Sequence, residues 1–324
     1  MFAEAIEQIL QDLCTPAAVR AIEAGASPAP LWHAVESAGF LELLASEADG
    51  GAQLPLADLF PILCNFGRYT VPLPLAQSIA ARALAPAHML PAGMITLAAA
   101  LRREADGSLC CPLIPCGVIA DFVLARDDAA LLLLPGALAQ RSASGVRGSL
   151  TATLTWCDDS GATRIPGDGA ALTAFAAAAH AALLSGAITR VFEMTLQHCK
   201  DRVQFGKSLG KFQAVQHQLS VMAEHTAAAS IAAAAAFHTE DRTPTFLRAA
   251  MAKSRTSEAA VLVAATAHAL HGAIGVTEEY DLQLLTRRLH EWRMTHGSEA
   301  HWNLLIGQHV LANDLSLVEL VCSA

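Results

Sequence analysis

The chain reads as an α+β protein, mainly α, because helix-period patterning at both ends flanks a central block of short strand-like runs. Runs of helix, then strand, then helix imply segregated α and β domains, not a doubly wound sheet, in which the two would alternate. Composition agrees: over 324 residues, 53% are hydrophobic but only 5% aromatic. The apolar side chains are therefore mostly small. Alanine-rich stretches such as Ala232 to Ala236 favour closely packed helices, since alanine loses no side-chain entropy in a helix and lets backbones approach.

Three domains follow: an N-terminal helical domain over 1–90, a β domain over 91–168 and a C-terminal helical bundle over 169–324. In the first, Glu4, Ile6, Ile9 and Leu10 keep a helix-like period, and Pro30 marks the start of a second helix through Leu44. The paired glycines Gly50 and Gly51 permit positive φ in the loop after it. A third helix is expected from about Leu54 to Phe66, before Gly67 to Leu75 turns the chain.

In the second domain, short apolar runs at Met94–Leu97, Phe122–Leu124, Leu131–Leu134 and Leu150–Trp156 alternate with Gly, Asp, Ser and Pro turns, which is a strand signature. From Gly169 onward the pattern is helical, with about four or five helices expected. The segment Ala171–Ile188 is interrupted by Thr173, His180 and Ser185. It falls short of the roughly 18 uninterrupted apolar residues that span a bilayer, and a buried core helix explains it.

The net charge of −9 argues against a nucleic-acid footprint, which needs a clustered basic face. Eight cysteines (Cys14, Cys64, Cys110, Cys111, Cys116, Cys157, Cys199 and Cys322) form no Cys-x-x-Cys pair. With no secretory signal, the expectation is a reduced, cytoplasmic protein with buried thiols and no membrane partner.

The most informative stretch runs from Asp201 to Gln216. Gly206 and Gly210 bracket a short loop with Arg202, Lys207 and Lys211 around it. A basic loop at a helix N-terminus is a generic anion site, and a capped interhelix turn with solvated charges is the rival reading. Gly206-Lys207-Ser208 is no phosphate-binding loop of the Walker type, since Asp201 stands where that motif needs glycine.

Arg202, then Phe205-Gly206, then Phe212-Gln213 closely resembles the signature of the acyl-CoA dehydrogenase family, flavoenzymes in which this Arg binds the FAD diphosphate across a subunit interface. Upstream, Gly39-Phe40, Gly50-Gly51 and Gly67-Arg68 with Pro72 and Pro74 resemble that family's N-terminal domain in order. Downstream, Leu270 to Leu282, followed by Arg287-Arg288, resembles the segment that completes the FAD site of a neighbouring subunit. Gly272 and Gly275 match there, Ala273 replaces a second glycine and Ala269 a glutamine. A helix C-cap and turn account equally for the two glycines. The resemblance implies FAD as cofactor, held by Arg202, Phe205, Phe212, Gln213, His271, Gly272 and Ala273, and no metal. His268 and His271 lie one turn apart without a third ligand, which makes zinc an unsuitable reading.

The same resemblance exposes departures. The β domain is reduced: after Ile95–Ala100 the chain passes directly to Arg102–Ser108, without the family's flavin-ring loop. The family's catalytic glutamate aligns with His296, its alternative base position with Ala176, and its CoA-holding motif with Ala174–Ala177. His296 is then a substitute base near neutrality, a relic in an inactive subunit, or an ordinary turn histidine. Glu299, three residues on, is expected to face another way, and Lys253 to Glu258 reads as a solvated helix face.

The closing Gly297–Gly307 resembles small bacterial members acting on bulky acyl-CoAs, including steroid side-chain thioesters, several of which pair with a paralogue. What the resemblance implies is a flavoprotein subunit for α,β-dehydrogenation of an acyl-CoA thioester, in a homo-oligomer or a heteromer with a paralogous acyl-CoA dehydrogenase. The alternative is a non-catalytic subunit that completes a partner's FAD site.

Overall fold

A computed structural model describes residues 2–127, 130–313, 316, 318 and 319, so Cys322 lies outside the described residues. The N-terminal region holds α1 (Phe2–Leu13), α2 (Pro16–Glu23), α3 (Ala29–Ser37), α4 (Leu56–Arg68) and α5 (Leu75–Leu84). Thr15 caps α2 by accepting from the Ala18 amide at 3.3 Å, with Pro16 at the first helical position. The helix expected to reach Leu44 stops at Ser37 instead. Gly39 adopts φ +78° and a short 3₁₀ turn, Phe40–Glu42, replaces the last α turns.

The central region contains β1 (Ile95–Ala98), β2 (Arg102–Arg103), β3 (Leu109–Ile114), β4 (Phe122–Asp127), β5 (Ala130–Pro135), β6 (Gln140–Ala143), β7 (Ala152–Trp156) and β8 (Thr163–Ile165). They form two four-stranded sheets, ordered β1-β4-β5-β8 and β2-β3-β7-β6. Only the β1–β4 pair is parallel, with Ile95 opposite Phe122. The first sheet is covered on both faces. Leu124, Leu131 and Leu133 join the helical core, whereas Val123, Ala125, Leu132 and Leu134 pack against the second sheet with Cys111, Leu154 and Trp156. Two-sided burial explains why Leu131–Leu134 is a continuous apolar run and not an alternating one.

The C-terminal region comprises α6 (Gly169–Asp201), a small hairpin of β9 (Val203–Gln204) and β10 (Lys207–Ser208), then α7 (Gln213–Ala235), α8 (Phe246–His271), α9 (Leu282–Met294) and α10 (Glu299–Asn313). Asp168 caps the 33-residue α6 by accepting from the Ala170 amide at 2.8 Å. α6 is the central post, packed against α4, α7, α8 and α9. Its contact with α4 is backbone to backbone: a Cβ on Gly67 would overlap the Leu183 carbonyl, and one on Gly186 would overlap the Cys64 carbonyl. Each helix thus supplies a glycine to the other's main chain.

By length and composition two helical segments could cross a bilayer, Gly169–Asp201 and Phe246–Val276, with 89% and 39% of their apolar windows buried. The first is a core helix. The second leaves Val261, Ala265 and Ala269 exposed on α8, an apolar strip of the kind that subunit contacts cover.

Candidate functional site

The residues singled out by sequence fall at two places. His296 stands in the turn between α9 and α10, while Arg202, Phe205, Phe212, Gln213, His271, Gly272 and Ala273 gather where α6 and α8 end and α7 begins. Lys253, which neighbours the first place, and His271 in the second are separated by roughly 27 Å of α8 at 1.5 Å per residue.

The turn at His296 is built to send its ring inward. His296 has φ +55° and Gly297 φ +100°. Only glycine fits the second position, because a Cβ there would press on the His301 ring and Trp302 Nε1. Trp302 Nε1 donates to the His296 carbonyl at 3.1 Å. Lys253 Nζ donates to the carbonyls of Arg293 (2.8 Å) and Gly297 (2.9 Å) and to Ser257 Oγ (3.0 Å), bracketing the turn. Lys253 is therefore fully buried, which corrects the expectation of a solvated face from Lys253 to Glu258. Its three protons are all placed, and burial still pulls its pKa down to about 7. Glu299 is engaged elsewhere, paired with Arg293.

The His296 ring meets His180 edge to face, with centroids 4.8 Å apart. His180 Nδ1 donates to the Ala176 carbonyl at 3.0 Å, and the Nε2 atoms of both histidines are buried without a hydrogen-bond partner. Burial, then the Lys253 charge, lowers the His180 pKa to about 4. Burial, His180 and Lys253 hold His296 well below the usual imidazole value. Both rings are neutral at pH 7, and the Nε2 atom of each is buried.

A stability prediction follows. His180 is depressed from 6.5 to about 4 on folding, so the unfolded chain binds the extra proton between those values and stability falls as pH drops through them. At 1.36 kcal/mol per unit the loss is at most about 3 kcal/mol. Urea titrations of wild type and His180→Gln should converge by that order between the two pH values; parallel curves would show that His180 does not titrate there.

The junction of the three regions is closed as well. Phe66, Gln77, Cys116, Leu183, Glu291 and Trp292 are among the residues enclosing about 20 Å³ there. Glu291 accepts from Ser149 Oγ (2.7 Å) and Thr151 Oγ1 (2.6 Å) and pairs with Arg288, which pairs in turn with Glu23 at 2.8 Å. Burial opposes the Glu291 carboxylate, but Arg288 and the two hydroxyls outweigh it and hold its pKa low. One network thus ties α2, the β region and α9 together.

The second place is open. Phe205 and Gly206 form the tip of the β9–β10 hairpin with φ +51° and +78°, the left-handed pair of a type I′ turn. An aromatic residue in that conformation is strained, and Phe205 is 90% exposed. Phe212 meets it edge to face at 6.4 Å, and Lys207 Nζ lies 4.2 Å from the Phe212 ring centroid. Arg202 and Gln213 are exposed, and the Arg202 guanidinium has no hydrogen bond or ion pair among the described residues. His271 ends α8 buried, its Nδ1 donating to the Ala267 carbonyl at 2.8 Å and its Nε2 unpartnered. Gly272 is the C-cap with φ +64°, and Gly275 could not carry a Cβ without pressing on His271. Ala273 is exposed on the 3₁₀ turn that follows.

His198, missed from sequence, joins these elements: its ring stacks on His271 with centroids 4.3 Å apart and an interplanar angle of 25°. A free guanidinium flanked by lysines and an exposed aromatic pair suits an anionic ligand with a flat ring. Among the described residues no group of side chains is arranged to hold a metal ion.

Comparison with known proteins places these features in context. A family profile described as acyl-CoA dehydrogenase, C-terminal domain, matches residues 170–311. Acyl-CoA dehydrogenase IpdE2 of Mycolicibacterium smegmatis is 31% identical over 301 residues, covering 90% of this chain and 91% of the relative. Its namesake in Mycobacterium tuberculosis is 33% identical over 299 residues, covering 90% of each. Among solved structures, the ChsE4-ChsE5 complex from Mycobacterium tuberculosis superposes with TM-score 0.84 at 19% identity over 97% of both chains. A Tcur3481-Tcur3483 steroid ACAD variant gives 0.80 at 25% identity, over 97% of this chain and 98% of that one.

Proposed function

The chain belongs to the acyl-CoA dehydrogenase family, and from that premise we propose that it is a subunit of a flavoprotein whose FAD it helps to hold while a paralogous partner performs the acyl-CoA dehydrogenation. The observation that carries this reading is the contrast between its two candidate places: the Arg202 guanidinium is exposed and unpaired among the described residues, whereas the His296 ring packs on His180 with its Nε2 buried.

The fit to FAD divides accordingly. Arg202, with its unpaired guanidinium, would take the diphosphate through forked, charge-assisted hydrogen bonds. Phe205, Phe212, Gln213 and the His271–Ala273 turn would line its flank, projecting away from this chain toward a neighbouring subunit. At the three-region junction the flavin ring finds no such fit, because the space enclosed there is about 20 Å³, whereas ligand pockets run from about 300 Å³ upward. When bound, FAD supplies the hydride acceptor; in this chain His296 is neutral with its Nε2 buried, which keeps that nitrogen from a substrate proton.

Two further observations favour a partner. The α8 strip of Val261, Ala265 and Ala269 is exposed beside the Arg202 end, and the similar solved structures include the ChsE4-ChsE5 complex. The steroid ACAD among them favours a bulky acyl-CoA as the substrate of the assembly, in the catabolism of fatty acyl or steroid side chains.

The test is direct. The purified chain, given FAD, an artificial electron acceptor and a panel of short, long and steroidal acyl-CoAs, should show turnover at least about 100-fold below that of an active family member, since a positioned base alone contributes 10²–10⁴-fold. It should also lack tightly bound flavin absorbance until a partner subunit is added. Robust turnover by the isolated chain, abolished in His296→Ala, would replace this reading with that of an enzyme using a histidine base.

A further inference from the structure

Arg202 caps the C-terminus of α6, its amide donating to the His198 carbonyl at 2.9 Å, and its charge acts on the His198 ring at the end where the candidate cofactor residues gather. The His198 ring is part-exposed, stacked on His271 and 6.4 Å from Tyr280, and neither ring nitrogen has a hydrogen-bond partner among the described residues. Beneath it, His271 has a buried, unpartnered Nε2. A His198 ring without a hydrogen-bond partner beside an unpaired guanidinium can become a second cationic donor once it takes up a proton.

Resting on the cofactor contact proposed above, we infer that His198 is a further residue of that site, taking up a proton as the diphosphate docks so that a guanidinium and an imidazolium hold the anion together. The charges around His198 set the direction. In the free chain burial disfavours its charged form first and Arg202 next, with Asp201 acting the other way. His271 is likewise kept neutral, by burial first and then by His198 and His268, against the Ala267 carbonyl. Behind them His268 is held down by burial and by His290 of α9, and Tyr280 faces the stack at 5.2 Å from His271. Lys207 and Lys211 complete the basic surroundings on the hairpin and the 3₁₀ turn after it.

A diphosphate brought against Arg202 cancels the repulsion that this arginine exerts on His198 and adds an attraction. The His198 pKa therefore rises on binding. By linkage, binding takes a proton from solvent and tightens as pH falls through the neutral range. The carbonyl-rich C-terminus of α6 works in the same sense, since it favours a cationic histidine.

The experiment titrates FAD into the full-length chain, and into its complex with the partner subunit, and follows flavin fluorescence at about pH 6 and about pH 8. FAD is the suitable probe because its diphosphate diester keeps a fixed charge over this range. Wild type should bind roughly tenfold tighter at the lower pH, equal to a one-unit rise in the imidazole pKa. His198→Asn should lose that dependence, binding with the same affinity at the two pH values. In proton NMR, the His198 ring resonance should titrate at higher pH with FAD bound than without. If Arg202→Ala weakens binding but His198→Asn keeps the full pH dependence, the role of His198 is overturned and the cofactor contact stands. If wild type binds no FAD in either form, or Arg202→Ala binds as wild type does, the contact itself is wrong and this inference falls with it.

Discussion

Arg202→Ala is expected to lower the affinity of the flavoprotein assembly for FAD by about 10- to 100-fold, the worth of one hydrogen bond to a charged group or a little more. The loss should fall on binding alone. The Arg202 side chain is exposed and its guanidinium has no hydrogen bond or ion pair among the described residues, and surface changes of that kind shift stability by less than about 0.5 kcal/mol. Arg202→Lys keeps the charge but not the planar fork, and should recover only part of the affinity. Flavin fluorescence titration together with a thermal melt separates the two effects. An unchanged dissociation constant in Arg202→Ala would remove the guanidinium from the cofactor site.

Arg288→Met should destabilise the fold by about 3–5 kcal/mol, since it leaves the largely buried Glu291 carboxylate without its cation and Glu23 with Arg287 alone. Arg288 is 5% exposed and lies between Glu23 and Glu291. Its loss also raises the Glu291 pKa, because burial is no longer opposed by the arginine. The deficit should therefore shrink as pH falls toward the carboxylate range, where protonation removes the unpaired Glu291 charge. Adding Glu291→Leu and Glu23→Leu should restore much of the stability, as apolar replacements of buried ion groups often do. Urea denaturation measures all three steps. A cost below about 1 kcal/mol for Arg288→Met would place this network in the class of weak, solvent-screened pairs.

The order of helix, strand and helix was legible because each region's apolar period is local. The proximity of Arg202, Phe205, Phe212 and Gln213 was legible too, because they lie within one short stretch of sequence. The inward turn was legible only in part. His296 stands out beside Gly297, but Lys253 sits in Lys-Ser-Arg-Thr-Ser-Glu, a string that reads as a wet face. Its burial depends on carbonyls of Arg293 and Gly297, supplied by another helix end, and no periodicity of α8 records them. His180 was visible as an interruption of an apolar run, not as half of a pair, because its partner comes from a distant turn. The Glu23–Arg288–Glu291 network joins three regions and carries no local sign at all. The early end of α3 could have been read from Gly39, whose freedom to adopt positive φ competes with helix continuation.

The exchanged glycines of α4 and α6 have a consequence for how the molecule comes apart. With Gly67 against Leu183 and Gly186 against Cys64, neither helix can slide or tilt without its main chain striking the other, and peeling the N-terminal helices away would expose the apolar contact buried between α4 and α6. Their amides belong to one cooperative block, and hydrogen exchange across α4 and the middle of α6 should proceed only through whole-molecule opening. The hairpin that carries Phe205 lies outside that block and can open locally, free to adjust to whatever docks beside it.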